Sequence, residues 1–530
     1  MRSPVSTYTG TWPLVRLMLR RDRVRLPVWL LAILGVVYSS AETVQGMYGT
    51  PEKLDVYAQT MTNSAAVIVM SGPPTALHTL GGVTVYEINT TALVAVALMA
   101  IFLVVRHTRT EEEAGRTELL RSTVVGRHAP TTAALIVVGG ATVVVAAGIS
   151  AIMLGLGLPA TGSLAYGASI AAFGLVFTAI GACAAQATAH ARGAIGMAAA
   201  FLGIAYALRA VGDVGTPALS WLSPMGWVQA VRPFGDERWW PILLLLVFAT
   251  GMFAVAAVLT AHRDVGSGLL AARAGPEAAA PRLGTATGLA VRLQRGSLVG
   301  WTVGMFLGGI AFGSLSKEVS GMADLNEDFA TALAGMSGGL VDAFRATMLL
   351  ILALVAAGFT VSSVQRIRSE ETSGRVEPLL ATGLSRTRWL AGSLSVTFVG
   401  TLLVIGAGGL GMGLADAVVQ GEAGQAPRLL VASLAYAPAA FALAGLGVLL
   451  VGWAPRAVAV VWGLLAFCVV VGWLGTVLDF PQWVTEMSPY SHVPQVPAEP
   501  MAWAPLFALV VFTVASVTVG ATKLAKRDIA

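Results

Sequence analysis

The chain has 530 residues, a formal net charge of +5, 56% hydrophobic and only 12% charged residues, and a mean hydropathy of +0.76. A soluble domain carries about a quarter of its residues as charges, so this composition excludes a soluble globular protein. The pI near 9.4 comes from arginine, since only four of the 33 cations are Lys. The arginines stand in short loops between apolar runs rather than on one basic face, which argues against nucleic-acid binding.

Several runs reach the roughly 20 apolar residues needed to cross a hydrocarbon core about 30 Å thick, and they are too long for barrel strands. The expected class is an all-α polytopic membrane protein. Cys183 and Cys468 each lie in an apolar run and say nothing about redox compartment. The first apolar run follows about 25 residues, contains Pro27 and lacks a small-residue cleavage site, so no cleavable signal peptide is expected.

In chain order, Leu14 to Arg25 sets leucines against a dense arginine face. It reads either as a helix in the headgroup layer or as a positive-inside flank. A first span follows at about 26–42, then an acidic segment, Thr43 to Asn89, whose apolar patch at Ala65–Met70 precedes Gly72-Pro73-Pro74. Acidity places this segment outside, and the patch suggests a dip into the interface. Span two, about 90–105, leads into a polar hairpin. Spans three to six occupy about 132–156, 164–189, 191–208 and 241–260, with Trp239 and Trp240 as an interfacial belt before the last. The Ala-, Gly- and Pro-rich stretch 266–287 reads as a cytoplasmic linker between residues 1–265 and 288–530.

The second half echoes the first, as a test for internal repeats reveals. Val291-Arg292-Leu293 answers Val15-Arg16-Leu17, and Met336-Ser337-Gly338 in a second acidic segment, Lys317 to Arg345, answers Met70-Ser71-Gly72. Gly445, Arg456, Pro505, Arg527 and Asp528 stand 264 residues after Gly181, Arg192, Pro241, Arg263 and Asp264. Two six-span halves give about twelve helices in parallel repeats with both termini cytoplasmic. The arginine-rich loops on the assigned inner side fit the positive-inside rule.

The clearest echo lies in the hairpins, at about 106–128 and 365–388. Arg109–Arg127 and Arg368–Arg386 align without a gap at an offset of 259 and share nine of nineteen residues. The shared set is Arg109, Glu111, Glu112, Gly115, Arg116, Glu118, Leu120, Thr123 and Arg127, matched by Arg368, Glu370, Glu371, Gly374, Arg375, Glu377, Leu379, Thr382 and Arg386. On a continuous helix Arg109, Glu112 and Arg116 form a stripe of alternating charge, as do Arg368, Glu371 and Arg375. Such a stripe is either a docking row or a solvated face, and duplication favours docking. An exposed pair such as Glu112 with Arg116 is worth only about 0.2–0.5 kcal/mol, so its loss is expected to leave folding intact. Gly115 and Gly374 imply either a bend or a close backbone contact. Pro378 in place of Leu119 implies that the second helix stops or restarts there.

No GxxxxGK[ST] phosphate loop is present. The six histidines are scattered without metal-ligand spacing. The assigned spans contain no mid-membrane Asp, Glu or Lys, which an ion-coupled carrier generally needs. Gly300, Gly304 and Gly308 make a small-residue stripe in span seven that would allow close helix packing.

The N-terminal RLMLRRDRVRLPVW, the paired EExGRxE hairpins, the six-span halves and the Arg-Asp after each sixth span resemble the permease subunits of bacterial ATP-binding-cassette exporters of the ABC-2 kind. The likeness is to the fused twelve-span actinobacterial group described as polyketide-antibiotic or multidrug exporters, and it covers essentially the whole chain. It implies a non-catalytic transport subunit in the bacterial cell membrane. Each hairpin would be a coupling helix on one subunit of a separate ATPase dimer, one permease chain to two ATPases, with ATP and Mg²⁺ held by the partner and no cofactor in this chain. It also implies re-entrant helices for the outer segments, cavity walls from spans two, five, eight and eleven, and a hydrophobic or amphiphilic small-molecule cargo. A twelve-span ion-coupled drug carrier is the alternative, and a membrane lipid-modifying enzyme a more distant one.

Overall fold

The computed structural model describes residues 6–62, 65–263, 268–269, 277–316, 339–474 and 480–527. Most of the second acidic segment, including Met336-Ser337-Gly338, and also Asp264 and Asp528, lie outside these residues. No strand occurs among the described residues. Twelve of their helices are long and apolar enough to cross a membrane, and the chain packs as two compact units, Met1–Gly275 and Pro276–Ala530.

Unit one opens with α1 (Thr11–Arg21), an amphipathic helix that buries Leu14, Val15 and Met18 against Ala129, Ala133 and Val137. After α2 (Arg25–Met47) come two short helices, α3 (Pro51–Thr62) and α4 (Ala65–Ser71). Helix α5 (Leu80–Val105) starts ten residues earlier than expected, because Thr79 caps it by accepting a hydrogen bond from the Gly82 N–H at 3.0 Å. A π-helical turn, Arg106–Thr110, and a last turn, Glu111–Glu113, extend it. Beyond a break lie α6 (Arg116–Arg121), α7 (Ala129–Gly155), α8 (Ala160–Ala187), α9 (Ala191–Val214) and α10 (Trp240–His262).

Helices α5 and α8 form the centre of unit one, with α2, α7, α9 and α10 around them. Lipid tails are as apolar as leucine, so small residues and close backbones must hold such helices together. Gly167 and Gly174 of α8 supply that here. A Cβ at Gly167 would come within 1.9 Å of Ser150 Oγ on α7, and one at Gly174 within 2.8 Å of Thr142.

Unit two contains α11 (Ala286–Gly313), α12 (Gly339–Thr372), α13 (Val376–Leu380), α14 (Arg386–Gln420), α15 (Gln425–Leu434), α16 (Ala437–Trp453), α17 (Val460–Leu474) and α18 (Trp503–Lys526). Helix α11 lies along α14, but not through the expected glycines. Added Cβ atoms at Gly300 and Gly304 would meet nothing within 4 Å, and one at Gly308 only Leu352 at 3.6 Å. Gly309 and Gly313 make the approach instead, with the backbones of Gly408 and Met412 at 2.1 and 2.2 Å from their hypothetical Cβ atoms.

Ionisable groups enter the long helices near their ends. Asp416, fully buried four residues before the end of α14, pairs with Arg345 in the second turn of α12 at 2.8 Å. Arg345 also holds Asp342 at 2.7 Å. In α9, Arg209 donates to the Ile68 and Met70 carbonyls at the end of α4.

Candidate functional site

Both hairpins are assembled around a carboxylate caught between two guanidiniums. In the first, Arg109 Nη1 lies 2.8 Å from Glu112 Oε2, and Arg263 Nη2 lies 2.7 Å from Glu112 Oε1. The Arg109 and Glu112 side chains are 1% and 7% exposed, and Arg109 Nε also donates to the Ala189 carbonyl at 2.8 Å. The lock therefore joins the end of α5, the end of α10 and the turn between α8 and α9. In the second, Arg368 Nη1 lies 2.7 Å from Glu371 Oε2, and Arg527 closes on the other oxygen. Thus Arg263 and Arg527 occupy the same place, each just beyond the last long helix of its unit.

A second pair is repeated beside each lock. Arg116 Nε bonds Glu111 Oε2 at 2.7 Å, and Arg375 Nε bonds Glu370 Oε2 at 2.7 Å. Hydrogen bonding to these carboxylates holds the Arg116 and Arg375 guanidiniums above their ordinary pKa. Arg127 donates to the carbonyls of Thr260 and Ala261 at 3.1 and 2.7 Å, and Arg386 to those of Ala525 and Arg527. Glu112 with Arg127, and Glu371 with Arg386, thus fasten each hairpin to the far end of its own unit, while the Arg116–Glu111 and Arg375–Glu370 pairs close the hairpin on itself.

The units differ at α1. Arg21 grips Glu111 bidentately, Nη1 to Oε2 at 2.7 Å and Nη2 to Oε1 at 2.8 Å. The hydrogen bond to Glu111 raises the Arg21 pKa against the opposing effect of partial burial. Asp22, fully buried, faces Arg106 Nε at 3.0 Å and His107 Nε2 at 2.6 Å. In unit two Arg366 takes a looser place beside Glu370, at 3.4 Å.

The geometry corrects the expected charge stripe. Arg109 and Glu112 do not face outward, and Arg116 does not continue their helix. Chain direction changes at Gly115, which has φ +70°, and at Gly374, which has φ +69°. Nothing lies within 4 Å of a Cβ added at either, so the pair marks a bend rather than a close contact. Pro378 is not the break: it sits in the first turn of α13, which has already restarted at Val376.

What projects is the short helix beyond each bend. Glu118 and Leu119 on α6 are exposed, Leu119 to 72%, as is Val124 after it. Glu377 and Pro378 on α13 are exposed too, while Val376 is fully buried and anchors the turn. No group of three or more His, Cys, Asp or Glu able to hold a metal occurs among the described residues. The chemistry available here is mechanical: a clamp of one buried carboxylate between two guanidiniums, with one positive charge in excess, tied to two long helices and carrying an exposed tip.

Arg21, Arg263 and Arg527 are the partners that the hairpin motif alone does not reveal. The recurrence of Arg263 at Arg527 was the signal for two of them; nothing in the pattern singles out Arg21 among its arginine neighbours.

Residues 283–524 match the family model described as "Multidrug efflux system permease Rv1217c, C-terminal domain". The whole chain is similar to the multidrug efflux system permease protein Rv1217c of Mycobacterium tuberculosis (strain ATCC 25618 / H37Rv). The two are 39% identical over 540 aligned residues, covering 99% of this chain and 96% of that protein.

Proposed function

This chain belongs to the family of multidrug efflux system permeases, and from that premise we propose that it is the membrane subunit of an ABC-2 type exporter, driven by a separate ATPase dimer. Its two units act as parallel repeats with both termini in the cytoplasm. The hairpin tips, α6 and α13, dock on the ATPase subunits, one on each. Closure of the ATPase dimer on ATP pushes both tips, and hydrophobic or amphiphilic cargo leaves through the membrane.

The observation that carries this reading is the repeated lock, Arg109–Glu112–Arg263 and Arg368–Glu371–Arg527. A solvated loop needs no buried ion triad. A loop that transmits force does, because a push on the tip has to reach the long helices without being absorbed at the bend. Leu119 and Val124 add exposed apolar surface on a polar hairpin, which suits a protein interface.

The ion-coupled alternative would look to Asp416, which is buried in a long helix. Its salt bridge to Arg345 at 2.8 Å leaves that carboxylate compensated and close to a helix end. That is a poor place for a carrier's proton or sodium site.

The test is co-purification. The chain co-expressed with an ABC ATPase subunit from the same organism should yield one permease to two ATPase subunits, and nucleotide binding should vanish when the ATPase is omitted. Nucleotide binding by the isolated chain, or efflux that persists without ATP and collapses with the proton gradient, would overturn the reading.

A further inference from the structure

Next to the end of α4, unit one holds a partly open cavity of about 20 Å³, lined among others by Tyr86 and Asn89 of α5, Tyr166 of α8, and Pro73. One water-sized group needs roughly 10–15 Å³. Tyr86 and Asn89 are 5% exposed and Tyr166 is fully buried, yet Tyr86 Oη, Asn89 Oδ1 and Tyr166 Oη have no hydrogen-bond partner among the described residues. Leaving a buried polar atom unsatisfied is costly, because it has given up its bonds to water. Three around one cavity mark a place kept for something that bonds all of them.

The backbone around it is strained as well. Among the described residues, the non-glycine positions with positive φ are Ala76 (56°), Arg232 (51°) and Phe234 (63°). All three sit in the loops that supply the cavity's Pro73–Thr75 and Gln229–Pro233 walls. The Phe234 ring fixes them by filling the space over Gly81 and Gly162, where added Cβ atoms would come within 2.4 and 2.3 Å of it. Such strain persists where packing over-determines it, and it gathers at ligand clamps.

We propose that this cavity is a binding subsite for a neutral hydroxyl group on the exported compound. The donor count selects that group. A hydroxyl has one proton to donate and two lone pairs, matching one amide oxygen, Asn89 Oδ1, and two phenol donors, Tyr86 and Tyr166. None of the lining residues is charged, so an ionic group entering here would lose its hydration with no counter-charge. Pro73 is exposed and Val85 half-buried at the rim, giving an apolar body a place to rest. The proposal rests on the efflux reading and narrows its cargo to neutral, hydroxylated amphiphiles.

The test is equilibrium binding to the purified full chain in lipid nanodiscs, without ATPase, using 2-naphthylethanol and 2-ethylnaphthalene. The ratio of the two affinities, corrected against empty nanodiscs, cancels partition into lipid. Wild type should favour the alcohol. Tyr166→Phe and Tyr86→Phe, which remove only a hydroxyl, should each lower that ratio about threefold to tenfold, leaving the hydrocarbon's affinity unchanged. No preference in wild type overturns the proposal. So does an unchanged ratio in both variants, and a lowered thermal midpoint beside it would make the cavity an internal hydration site only. ATPase association is not measured here, so the coupling reading and this subsite fail independently.

Discussion

Glu112 and Arg263 stand 151 residues apart in sequence and 2.7 Å apart in space, and Glu371 meets Arg527 in the same way across 156 residues. Each contact fastens a hairpin to the far end of its own unit. A buried carboxylate shared by two guanidiniums is strongly destabilising to break, because removing it strands charges away from water.

Glu112→Ala and Glu371→Ala should therefore each cost about 3–5 kcal/mol of stability. Fluorescence-detected size exclusion after graded heating should show a lower midpoint for both, with Glu118→Ala close to wild type. Wild-type melting of Glu112→Ala would mean that the lock contributes nothing to the fold. The expectation that losing a pair such as Glu112 with Arg116 leaves folding intact applies only to exposed charges, and the Glu112 and Glu371 side chains are buried.

Docking has to be probed at the residues that project. Glu118→Arg, Glu377→Arg and Leu119→Asp should alter stability by no more than about 0.5 kcal/mol. At the centre of an interface the same changes cost on the order of 2 kcal/mol, about thirtyfold in affinity. Pull-down of the ATPase and drug accumulation in cells should both fall sharply, with Glu277→Arg as an exposed control. Unimpaired association in all three would return the tips to solvent.

The helical class is legible in the sequence because runs of some 20 apolar residues have no other stable form in lipid. The hairpins are legible because nine shared positions in nineteen stand out among drifting apolar helices. Which of those charges face outward is not. Burial at Glu112 depends on Arg263, a residue brought near only by the packing of α10, and local periodicity carries no trace of that. The start of α5 was missed for a similar reason: Thr79 to Asn89 is too polar for a membrane run, and its helix is secured by a cap and by packing. The glycines of α11 misled because a stripe at every fourth residue does not say which side meets a neighbour.

Orientation makes a separate prediction. With Cys183 and Cys468 replaced, single cysteines at Lys53 and Glu422, both exposed, should react with an impermeant thiol reagent in intact cells. Cysteines at Leu119 and Thr382, on the hairpins, should react only after lysis. Labelling of the hairpin positions in sealed cells would invert the topology and remove any role in meeting a cytoplasmic ATPase.

The glycines of α11 allow a test in which chemistry is constant and only position varies. Gly304→Ala adds a methyl group where nothing lies within 4 Å, and alanine is preferred to glycine inside a helix by roughly 0.5–1 kcal/mol. Its thermal midpoint should hold or rise. Gly309→Ala makes the same helical gain but sets its methyl 2.1 Å from the Gly408 carbonyl oxygen and 2.8 Å from the Met412 nitrogen. Those atoms belong to the backbone of α14 and cannot rotate away, so the helices must separate. Overpacking of this kind costs about 1–3 kcal/mol, enough to outweigh the helical preference and lower the midpoint. Equal midpoints for the two variants would mean that α11 and α14 do not approach closely at Gly309, and that the glycine stripe one residue earlier is as good a candidate for the packed side.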